Sequence, residues 1–415
     1  MTADFLLYIR FSIFGQIPLY LLIISLFFLV VFKNMKILIA PDSFKGSLSA
    51  IEFCRIVAEQ IQCFQPDTEL QLMPLADGGE GTIDAILANA RGQLISTQVQ
   101  DPLGNLISAQ YAILDEHHTA VIEMARASGL AQIESALLNP LLASSFGTGE
   151  LILDALEQGC RRFIIGLGGS ATNDGGTGML QALGVRFLDV RKQVLRGCGA
   201  NLKNISTIDL SDFDPRMKAS EVIIAGDVTN PLLGDLGATY IYGPQKGADE
   251  AMLVELEEGM TLFAKKSAQF LLLDDLFDVP GTGAAGGMGY ALMAYCQASM
   301  QSGFELIADM TGLDGIFAAT QSRPDLIITG EGRFDSQSLN GKLIGRLSER
   351  TDRYDIPLIV ICGAIGDDLD REIISRNVSV FSLVDGPCSL EYAMRNSPML
   401  LEKLMMNMVR LLRVY

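Results

Sequence analysis

The stretch of sequence that decides the fold is Lys36-Ile37-Leu38-Ile39-Ala40-Pro41-Asp42-Ser43-Phe44-Lys45-Gly46-Ser47. Its apolar first half predicts a buried strand, because a short apolar run bounded by turn residues is typical of one. The proline, aspartate and glycine that follow favour a loop at the end of that strand. A buried strand that runs into a polar loop begins the strand, loop and helix unit from which parallel α/β sheets are built.

The same unit recurs along the 415 residues of the chain. Further strands are predicted at 70–75, 162–167, 221–225, 326–329 and 358–362, each followed by a cluster rich in glycine and acidic or polar residues. After the cluster that follows residue 167, a helix is predicted from Thr177 to Leu183. Ligands of open α/β sheets bind beyond the carboxyl ends of the strands. We therefore expect the polar clusters to face one cleft, or two facing sides of it.

Residues 93–125 show a different pattern, in which apolar and polar residues alternate around the turn Asp101-Pro102-Leu103-Gly104-Asn105. This pattern indicates antiparallel strands, and therefore a second domain inserted into the first. The predicted α/β fold has two α/β domains. One is a discontinuous Rossmann-like parallel-sheet domain built from both chain ends (residues 35–90 and 300–415), and the other is a mixed α/β domain inserted between them (residues 91–299).

Composition and charge exclude several classes of function. The net charge of -18 argues against a nucleic-acid partner, whose phosphates require clustered Lys and Arg, but it is compatible with a small anionic substrate. The seven cysteines are widely spaced in a long chain, which predicts reduced thiols. The two histidines are the neighbours His117 and His118, so a zinc site or a histidine-based triad lacks its ligands. Any general base is expected to be a carboxylate.

Residues 1–34 stand apart as an apolar N-terminal extension. The 22 residues from Phe11 to Phe32 carry no charge, and about 20 residues suffice for a membrane span. We favour an upstream translation artefact, because Met35 opens the first predicted strand with no linker. The protein is then expected in the cytoplasm. If residues 11–32 are translated, the alternative is a single N-terminal anchor that holds the folded part on the cytoplasmic face of the membrane.

The glycine-rich loop from Gly166 to Gly176 is the main candidate for binding phosphate. Its glycines let the main chain approach an anion, and the helix predicted after it adds partial positive charge. The predicted contacts are Gly168, Gly169, Ser170, Thr172, Asn173 and Asp174. The alternative is a glycine-rich turn that binds no ligand.

Known nucleotide motifs leave one other enzyme class open. The chain has no G-x-x-x-x-G-K-[ST] sequence, so a P-loop nucleotide hydrolase is excluded. Dinucleotide fingerprints match at Gly166 to Ala171, where no helix follows at once, and at Gly281 to Gly286, where no strand precedes. A nucleotide-dependent dehydrogenase of a small hydroxy acid therefore remains an alternative.

The loop after the first strand combines Asp42, Ser43, Lys45 and Ser47. Lys45 is a candidate for bridging phosphate oxygens or a substrate carboxylate, and Asp42 for orienting a hydroxyl group or a metal-bound water. The alternative is a helix N-cap at Ser47 or Ser49 with a solvated lysine. The two interpretations are compatible.

Three further clusters contain candidate charged residues. Asp77-Gly78-Gly79 and Asp227-Val228-Thr229-Asn230 offer oxygen ligands for Mg²⁺ or hydroxyl groups of a substrate, although acidic turn residues are common without such a role. Gly330-Glu331-Gly332-Arg333-Phe334-Asp335 places an arginine where it can clamp a carboxylate or phosphate in bidentate fashion. The alternative for this third cluster is an internal ion pair that braces the loop.

Taken together, these residues resemble the bacterial glycerate kinase family from Met35 to the C-terminus. The matching stretches are 36–47, 76–82, 166–176, 226–232, Gly243-Pro244-Gln245-Lys246-Gly247-Ala248, 281–289 and 329–335, in the order of the family. The resemblance implies ATP-dependent phosphorylation of D-glycerate to 2- or 3-phosphoglycerate, between two α/β domains that enclose the active cleft. Residues 1–34 are the one departure from the family pattern. A membrane-tethered ligand-binding protein is the non-enzyme alternative.

Residue type and loop position assign the roles. Catalysis is assigned to Asp42, Lys45, Arg333 and Asp335, and Mg²⁺ binding to Asp227 or Asp77. Binding of substrate or ATP is assigned to Ser43, Ser47, Asp77, Gly78, Gly79, Gly168, Gly169, Ser170, Thr172, Asn173, Asp174, Asn230, Lys246, Gly283 and Glu331. The predicted mechanism is in-line attack of a glycerate hydroxyl on the γ-phosphate, with Lys45 and Arg333 neutralising the carboxylate and the moving phosphoryl group. Asp42 or Asp335 orients the hydroxyl, and the oligomeric state stays open.

Overall fold

The computed structural model of the chain describes residues 35–273, 276–319, 323–339, 343–367 and 375–414. The apolar extension of residues 1–34, with its predicted membrane span, lies outside the described residues. Within the described ranges, two large sheets and their flanking helices form the predicted α/β fold.

The secondary structure follows in chain order. The strands are β1 (Lys36–Ile39), β2 (Glu69–Leu72), β3 (Gly92–Gln100), β4 (Leu106–Leu114), β5 (Thr119–Glu123), β6 (Arg162–Gly166), β7 (Arg186–Leu188), β8 (Thr207–Asp209), β9 (Glu221–Ala225), β10 (Ser299–Gln301), β11 (Leu326–Phe334), β12 (Leu358–Ile365) and β13 (Val378–Ser382). The α-helices are α1 (Ala50–Phe64), α2 (Thr82–Asn89), α3 (Ala125–Ser128), α4 (Phe146–Glu157), α5 (Thr177–Ala182), α6 (Pro215–Lys218), α7 (Ala238–Tyr242), α8 (Glu250–Leu271), α9 (Ala284–Cys296), α10 (Gly303–Thr311), α11 (Leu313–Ala318), α12 (Ser336–Leu339), α13 (Leu343–Tyr354), α14 (Leu390–Arg395) and α15 (Ser397–Val414).

The first sheet, called sheet A here, is parallel throughout and has the strand order β13-β12-β11-β1-β2 among the described residues. Its strands come from both chain ends, as the Rossmann-like prediction requires. Strand β1 lies inside the sheet, where Ile37 pairs with Leu326 of β11 and with Leu70 of β2. Its apolar residues are buried because helices cover both faces of a parallel sheet.

Helices α1 and α15 pack together on one face of sheet A, and helix α13 packs on the other. Helix α1 begins at Ser49, whose hydroxyl accepts a hydrogen bond from the Glu52 amide while Glu52 accepts one from the Ser49 amide. This capping box places the end of the 41–47 loop at the start of a stable helix. Of the two N-caps considered from the sequence, the structure uses Ser49.

The second sheet, called sheet B here, is mixed and has the order β10-β9-β6-β5-β4-β3 in the described part of the chain. The predicted antiparallel hairpin around residues 101–105 is confirmed as the β3–β4 pair. Strand β5 is antiparallel to β4 but parallel to β6. The carboxyl end of β5 therefore lies at the same edge of the sheet as those of β6 and β9.

A hydrophobic core joins the two sheets. It contains Leu38 of sheet A and Ile164 of sheet B, with helices α2 and α10 between them. Phe304 of α10 is completely buried in this layer. We therefore describe the molecule as two α/β units that share one inner layer of side chains.

Several boundaries differ from the sequence-based expectation. Strand β2 ends at Leu72 instead of residue 75, and β12 continues to Ile365 instead of ending at residue 362. Strand β11 does not end at Thr329 but continues to Phe334, because Arg333 still pairs with Ala364 of β12. The predicted boundary between residues 299 and 300 falls inside β10, which pairs with β9 of sheet B. The exact domain limits stay a prediction.

Two further expectations concern the chain as a whole. All seven cysteines are free, and five of them are buried. Across the described ranges, no helix combines the length and hydropathy that a membrane crossing requires.

Candidate active site

Sheet A divides at the boundary between β1 and β11. Helix α1, which follows β1, lies on one face of the sheet, while helix α13, which follows β11, lies on the other. The Asp42 amide donates a hydrogen bond of 2.8 Å to the Gly330 carbonyl where the two chains part. Such a change of direction opens a crevice beyond the strand ends, and this crevice is the usual ligand site of open α/β sheets.

A cleft of about 430 Å³ occupies this crevice, and we call it the first cleft. It brings together six of the predicted charged residues: Asp42, Lys45, Asp77, Glu331, Arg333 and Asp335. Its outer part is apolar and includes Leu383, Val384, Leu390, Ala393 and Met394. The first cleft thus has a charged floor and an apolar rim.

The charged side chains of the first cleft lie close enough to influence one another. Lys45 Nζ lies 3.8 Å from Asp77 Oδ2, and Asp77 raises the pKa of Lys45. Burial, followed by the negative charge of Asp77, raises the pKa of the Asp42 carboxyl well above its ordinary value. Asp42 Oδ1 accepts a hydrogen bond of 2.7 Å from the Ser43 amide, which fixes its orientation. Arg333 Nε lies 3.2 Å from Asp335 Oδ2, so this pair does brace its segment while it lines the cleft.

A second cleft of about 770 Å³ lies between sheets A and B. It shares the loop Ser43–Ser47 with the first cleft, so the exposed ammonium of Lys45 faces both. The opposite wall includes Gln110, Glu123, Arg126 and Gly169. Sequence reasoning does not find Glu123 and Arg126 as site residues. The one signal that could identify them is the apolar run 120–122, which is followed directly by the charged Glu123. The alternating pattern around this run instead favours an antiparallel meander.

The loop from Asp77 to Gly81 connects the edges of the two sheets. Gly78 has a φ of +90°, and a Cβ atom there would lie 2.4 Å from the Ala225 carbonyl oxygen. A Cβ on Gly168 would lie 2.8 Å from Gly79 Cα. The loops after β2, β6 and β9 therefore touch through backbone that only glycine allows. These contacts agree with the expectation that the polar clusters meet at one edge.

Several predicted phosphate ligands lie inside the protein instead of lining either cleft. Thr172, Asn173 and Asp174 are completely buried, as is Lys246. The Asp174 carboxylate accepts hydrogen bonds from the Ser145 amide and hydroxyl and from the amides of Gly176 and Gly178. Lys246 Nζ donates a bond of 2.7 Å to the Thr172 carbonyl. In this conformation their visible role is to hold the loop whose tip is exposed at Gly168 and Gly169.

Asn230 and Gly283 also line neither cleft. Asn230 Oδ1 accepts a hydrogen bond from the Tyr242 hydroxyl, and its main-chain oxygen accepts bonds from the Gly281 and Gly283 amides. Ser170 is buried and pairs with Gly129. Ligand contacts by these three residues stay predictions.

Asp227 follows strand β9 of sheet B and lines neither of the two clefts. Its Oδ1 is 3.8 Å from Arg346 Nη2, whereas its buried Oδ2 has no hydrogen-bond partner among the described residues. Burial raises the pKa of Asp227, and the charge of Asp77 adds to the rise. An unpartnered oxygen beside a second carboxylate suits Mg²⁺, which takes one or two protein carboxylates together with phosphates. No group of three or more His, Cys, Asp or Glu within the described ranges is arranged to hold a metal alone.

Fold and site define an open α/β protein with a charged cleft at its strand ends, and comparison with known proteins gives its class. A model of the "Glycerate kinase family" matches residues 37–413. The chain is 44% identical to the glycerate 2-kinase of Escherichia coli K12 (88% of this chain, 94% of the relative) and 43% identical to the glycerate kinase of Bacillus cereus (86% and 93%). A crystal structure assigned to glycerate kinase 2 of Salmonella typhimurium LT2 superposes with a TM-score of 0.77 at 40% identity, covering 92% of this chain and 99% of that one.

The chain belongs to the glycerate kinase family. It is an enzyme of the kinase class that phosphorylates glycerate. This membership favours the kinase over the dehydrogenase and the tethered ligand-binding protein considered from the sequence.

Proposed function

We propose that the chain transfers the γ-phosphoryl group of ATP to D-glycerate at the junction of the two clefts. The observation that carries this proposal is the loop from Ser43 to Ser47, which both clefts share. A phosphoryl donor and an acceptor that enter from different clefts meet at this loop. Holding both reactants in line is the main task of an enzyme that catalyses phosphoryl transfer.

ATP occupies the first cleft in this proposal. The apolar rim near Leu383 and Met394 suits an adenine ring, and the charged floor suits the phosphates. Lys45 and Arg333 are the cations of this cleft and neutralise charge on the transferred group. The exposed Gly169 lines the second cleft next to this junction, which supports the role predicted for it as part of a phosphate-binding tip.

Asp42 is the general base of the proposed reaction. Its buried carboxylate has a raised pKa, and a base works best when its pKa approaches the working pH. It accepts the proton of the attacking glycerate hydroxyl, while the Ser43 amide keeps the carboxylate in place. Asp335 lies farther along the same cleft, paired with Arg333, and positions that arginine.

Mg²⁺ is the expected cofactor, with Asp77 and Asp227 as its protein ligands. Held by these two carboxylates, a Mg²⁺ ion would supply positive charge that offsets the charge of the ATP phosphates. The side chain of Glu331 lines the same cleft and adds to its negative potential. Because the proposed reaction needs ATP, we also expect the protein to work in the cytoplasm.

The hydroxyl at carbon 2 is the proposed acceptor, because the relative at 44% identity is named glycerate 2-kinase. The test supplies D-glycerate, ATP and Mg²⁺ to the full chain and measures ADP release. Purified enolase is then added to the product, because enolase dehydrates 2-phosphoglycerate but not the 3-isomer. We expect phosphoenolpyruvate to form at once, whereas a product that first requires a phosphoglycerate mutase would contradict the 2-position.

A further inference from the structure

Arg126 lies where the second cleft meets the functional edge of sheet B. Strand β5 ends at Glu123, beside Gly166 of the parallel strand β6. Helix α3, which carries Arg126, is joined to the glycine-rich loop by hydrogen bonds from the Met124 amide to the Gly166 carbonyl and from the Ala171 amide to the Ser128 carbonyl. The guanidinium is thus built into the same wall as Gly169.

Glu123 fixes one side of the Arg126 guanidinium. Arg126 Nε donates a hydrogen bond of 2.9 Å to Glu123 Oε2, and the Ile83 amide donates one of 2.7 Å to Glu123 Oε1. Glu123 is only 3% exposed, so it is held between helix α2 and the arginine. A guanidinium that is anchored through Nε presents its terminal nitrogens in a defined plane.

The terminal nitrogens have weaker and more exposed partners. Nη2 lies 3.2 Å from Asp84 Oδ2, and Nη1 lies 3.3 Å from Gln110 Oε1. The Asp84 side chain is 50% exposed, and pairs of this kind add little stability. A carboxylate arriving in the cleft can replace Asp84 and accept two parallel hydrogen bonds.

The distribution of cations between the clefts decides which anion belongs here. Arg333 lines the first cleft and Lys45 lines both, whereas Arg126 lines the second cleft and not the first. With ATP in the first cleft, the anionic group left for Arg126 is the substrate carboxylate. The facing wall is the loop from Ser43 to Ser47, where transfer takes place.

We propose that Arg126 binds the carboxylate of glycerate through its terminal nitrogens and that Glu123 positions the guanidinium for this contact. This inference rests on the proposed function, because it assumes that glycerate and ATP use different clefts. Arg126 then determines specificity, since it separates a hydroxy acid from an uncharged polyol that has the same hydroxyl groups.

Steady-state kinetics of Arg126→Gln and Arg126→Lys test the proposal. Loss of a charged bidentate contact of about 3 kcal/mol raises the KM for D-glycerate roughly 100-fold in Arg126→Gln, while the KM for ATP changes less than about twofold. Arg126→Lys keeps a cation beside buried Glu123 but loses the two parallel donors of the guanidinium. We therefore expect the KM for D-glycerate to rise roughly tenfold. The ratio of kcat/KM for glycerate to kcat/KM for glycerol falls in parallel.

Calorimetric titration with glycerate gives a second readout that does not depend on turnover. Arg186→Gln is the matched control, because Arg186 pairs with Asp209 on the surface and lines neither cleft. If both Arg126 variants keep the wild-type KM for glycerate, or raise the KM for ATP instead, the role of Arg126 is wrong. If the wild type itself releases no ADP with glycerate, the proposed function fails and not merely this assignment.

Discussion

The carboxyl group of Asp42 combines burial with the repulsion of Asp77, and both effects raise its pKa by disfavouring the charged form. The folded state therefore holds this proton more tightly than the unfolded state does. The resulting contribution to stability is present at low pH and is lost as the pH rises through the raised pKa. As a base, however, Asp42 must be deprotonated, so activity rises over the same pH range in which stability falls.

Asp42→Asn is expected to separate these two effects. We expect kcat to fall by about 10² to 10⁴, because the attacking hydroxyl loses its proton acceptor. The melting temperature at pH 8 should rise by roughly 2 °C, since the amide removes a buried charge but can still accept the Ser43 bond. Calorimetry and a pH profile of kcat/KM check both. If the variant retains activity within tenfold of the wild type and the acidic limb of its pH profile is unchanged, Asp42 is not the base.

Lys246 is a buried ammonium that donates a hydrogen bond to the Thr172 carbonyl. Burial lowers its pKa from an ordinary 10.5 to about 7. Between these values the unfolded chain binds more protons than the folded chain, so the stability of the wild type rises with pH across this window.

Lys246→Met removes that dependence. We expect the wild type to gain stability over Lys246→Met between pH 7 and about 10, measured as the difference in melting temperature at several pH values. Lys203→Met serves as the control, because Lys203 is exposed and paired with Glu255. Parallel curves for the wild type and Lys246→Met would mean that the lysine stays fully protonated in the fold.

At the scale of the elements, the loop between β2 and α2 depends on Gly78. Its φ is +90°, and a Cβ atom at this position would come within 2.4 Å of the Ala225 oxygen, so there is no room for a side chain. We expect Gly78→Ala to lower the free energy of unfolding by about 2 to 4 kcal/mol, through backbone strain and overlap together. Urea denaturation measures this loss.

Gly234→Ala is the matched control for that substitution. Gly234 has a φ of +84°, and nothing lies within 4 Å of its Cβ position, so only the backbone strain of about 1 kcal/mol applies. If Gly78→Ala and Gly234→Ala lower the free energy of unfolding equally, the contact between the sheet edges does not contribute to stability.

Helices and strands that depend mainly on residues close in the sequence can be predicted from local patterns. The apolar run at 36–40 predicts β1, and the pattern from Thr177 to Leu183 predicts helix α5 almost to the residue. The direction of β5 cannot be predicted locally, because it depends on pairing with β6 about 40 positions later. For the same reason the sequence does not reveal Glu123 and Arg126 as site residues. The extension of β11 beyond Thr329 likewise depends on β12, a non-local partner.

The candidate site shows the same division. The sequence identifies Asp42, Lys45, Asp77 and Arg333 because their residue types and loop positions point to phosphate chemistry, and the structure gathers them in one cleft. The burial of Asp174 cannot be inferred from the loop sequence. Ser145, which satisfies its carboxylate, belongs to a distant segment without a recognisable pattern.

At the scale of the whole molecule, the layer between the sheets couples the two units. Phe304 is fully buried in that layer, and Arg350 lies over its ring at 4.9 Å. We expect Phe304→Ala to cost about 3 to 5 kcal/mol and to shift one common unfolding transition, because either unit exposes the layer when it unfolds. Differential scanning calorimetry measures the transitions.

Phe270→Ala on helix α8 is the control for Phe304→Ala, because Phe270 is 45% exposed and contributes little core packing. Its transition should stay within about 1 °C of the wild type. Two separate transitions, of which Phe304→Ala moves only one, would show that the units unfold independently despite their common layer.

The interior position of β1 in sheet A has a consequence for the synthesis of the chain. The Lys36 amide bonds to Asp325, a residue 289 positions later, so the first strand leaves the ribosome long before its inner neighbour exists. At about 5 to 20 residues per second, that delay is roughly 15 to 60 seconds. Sheet B has all its strands by residue 301 and can assemble during this interval. Until β11 is made, strand β1 has β2 as a neighbour on one side and an unpaired edge on the other, and we expect a chaperone to protect that edge.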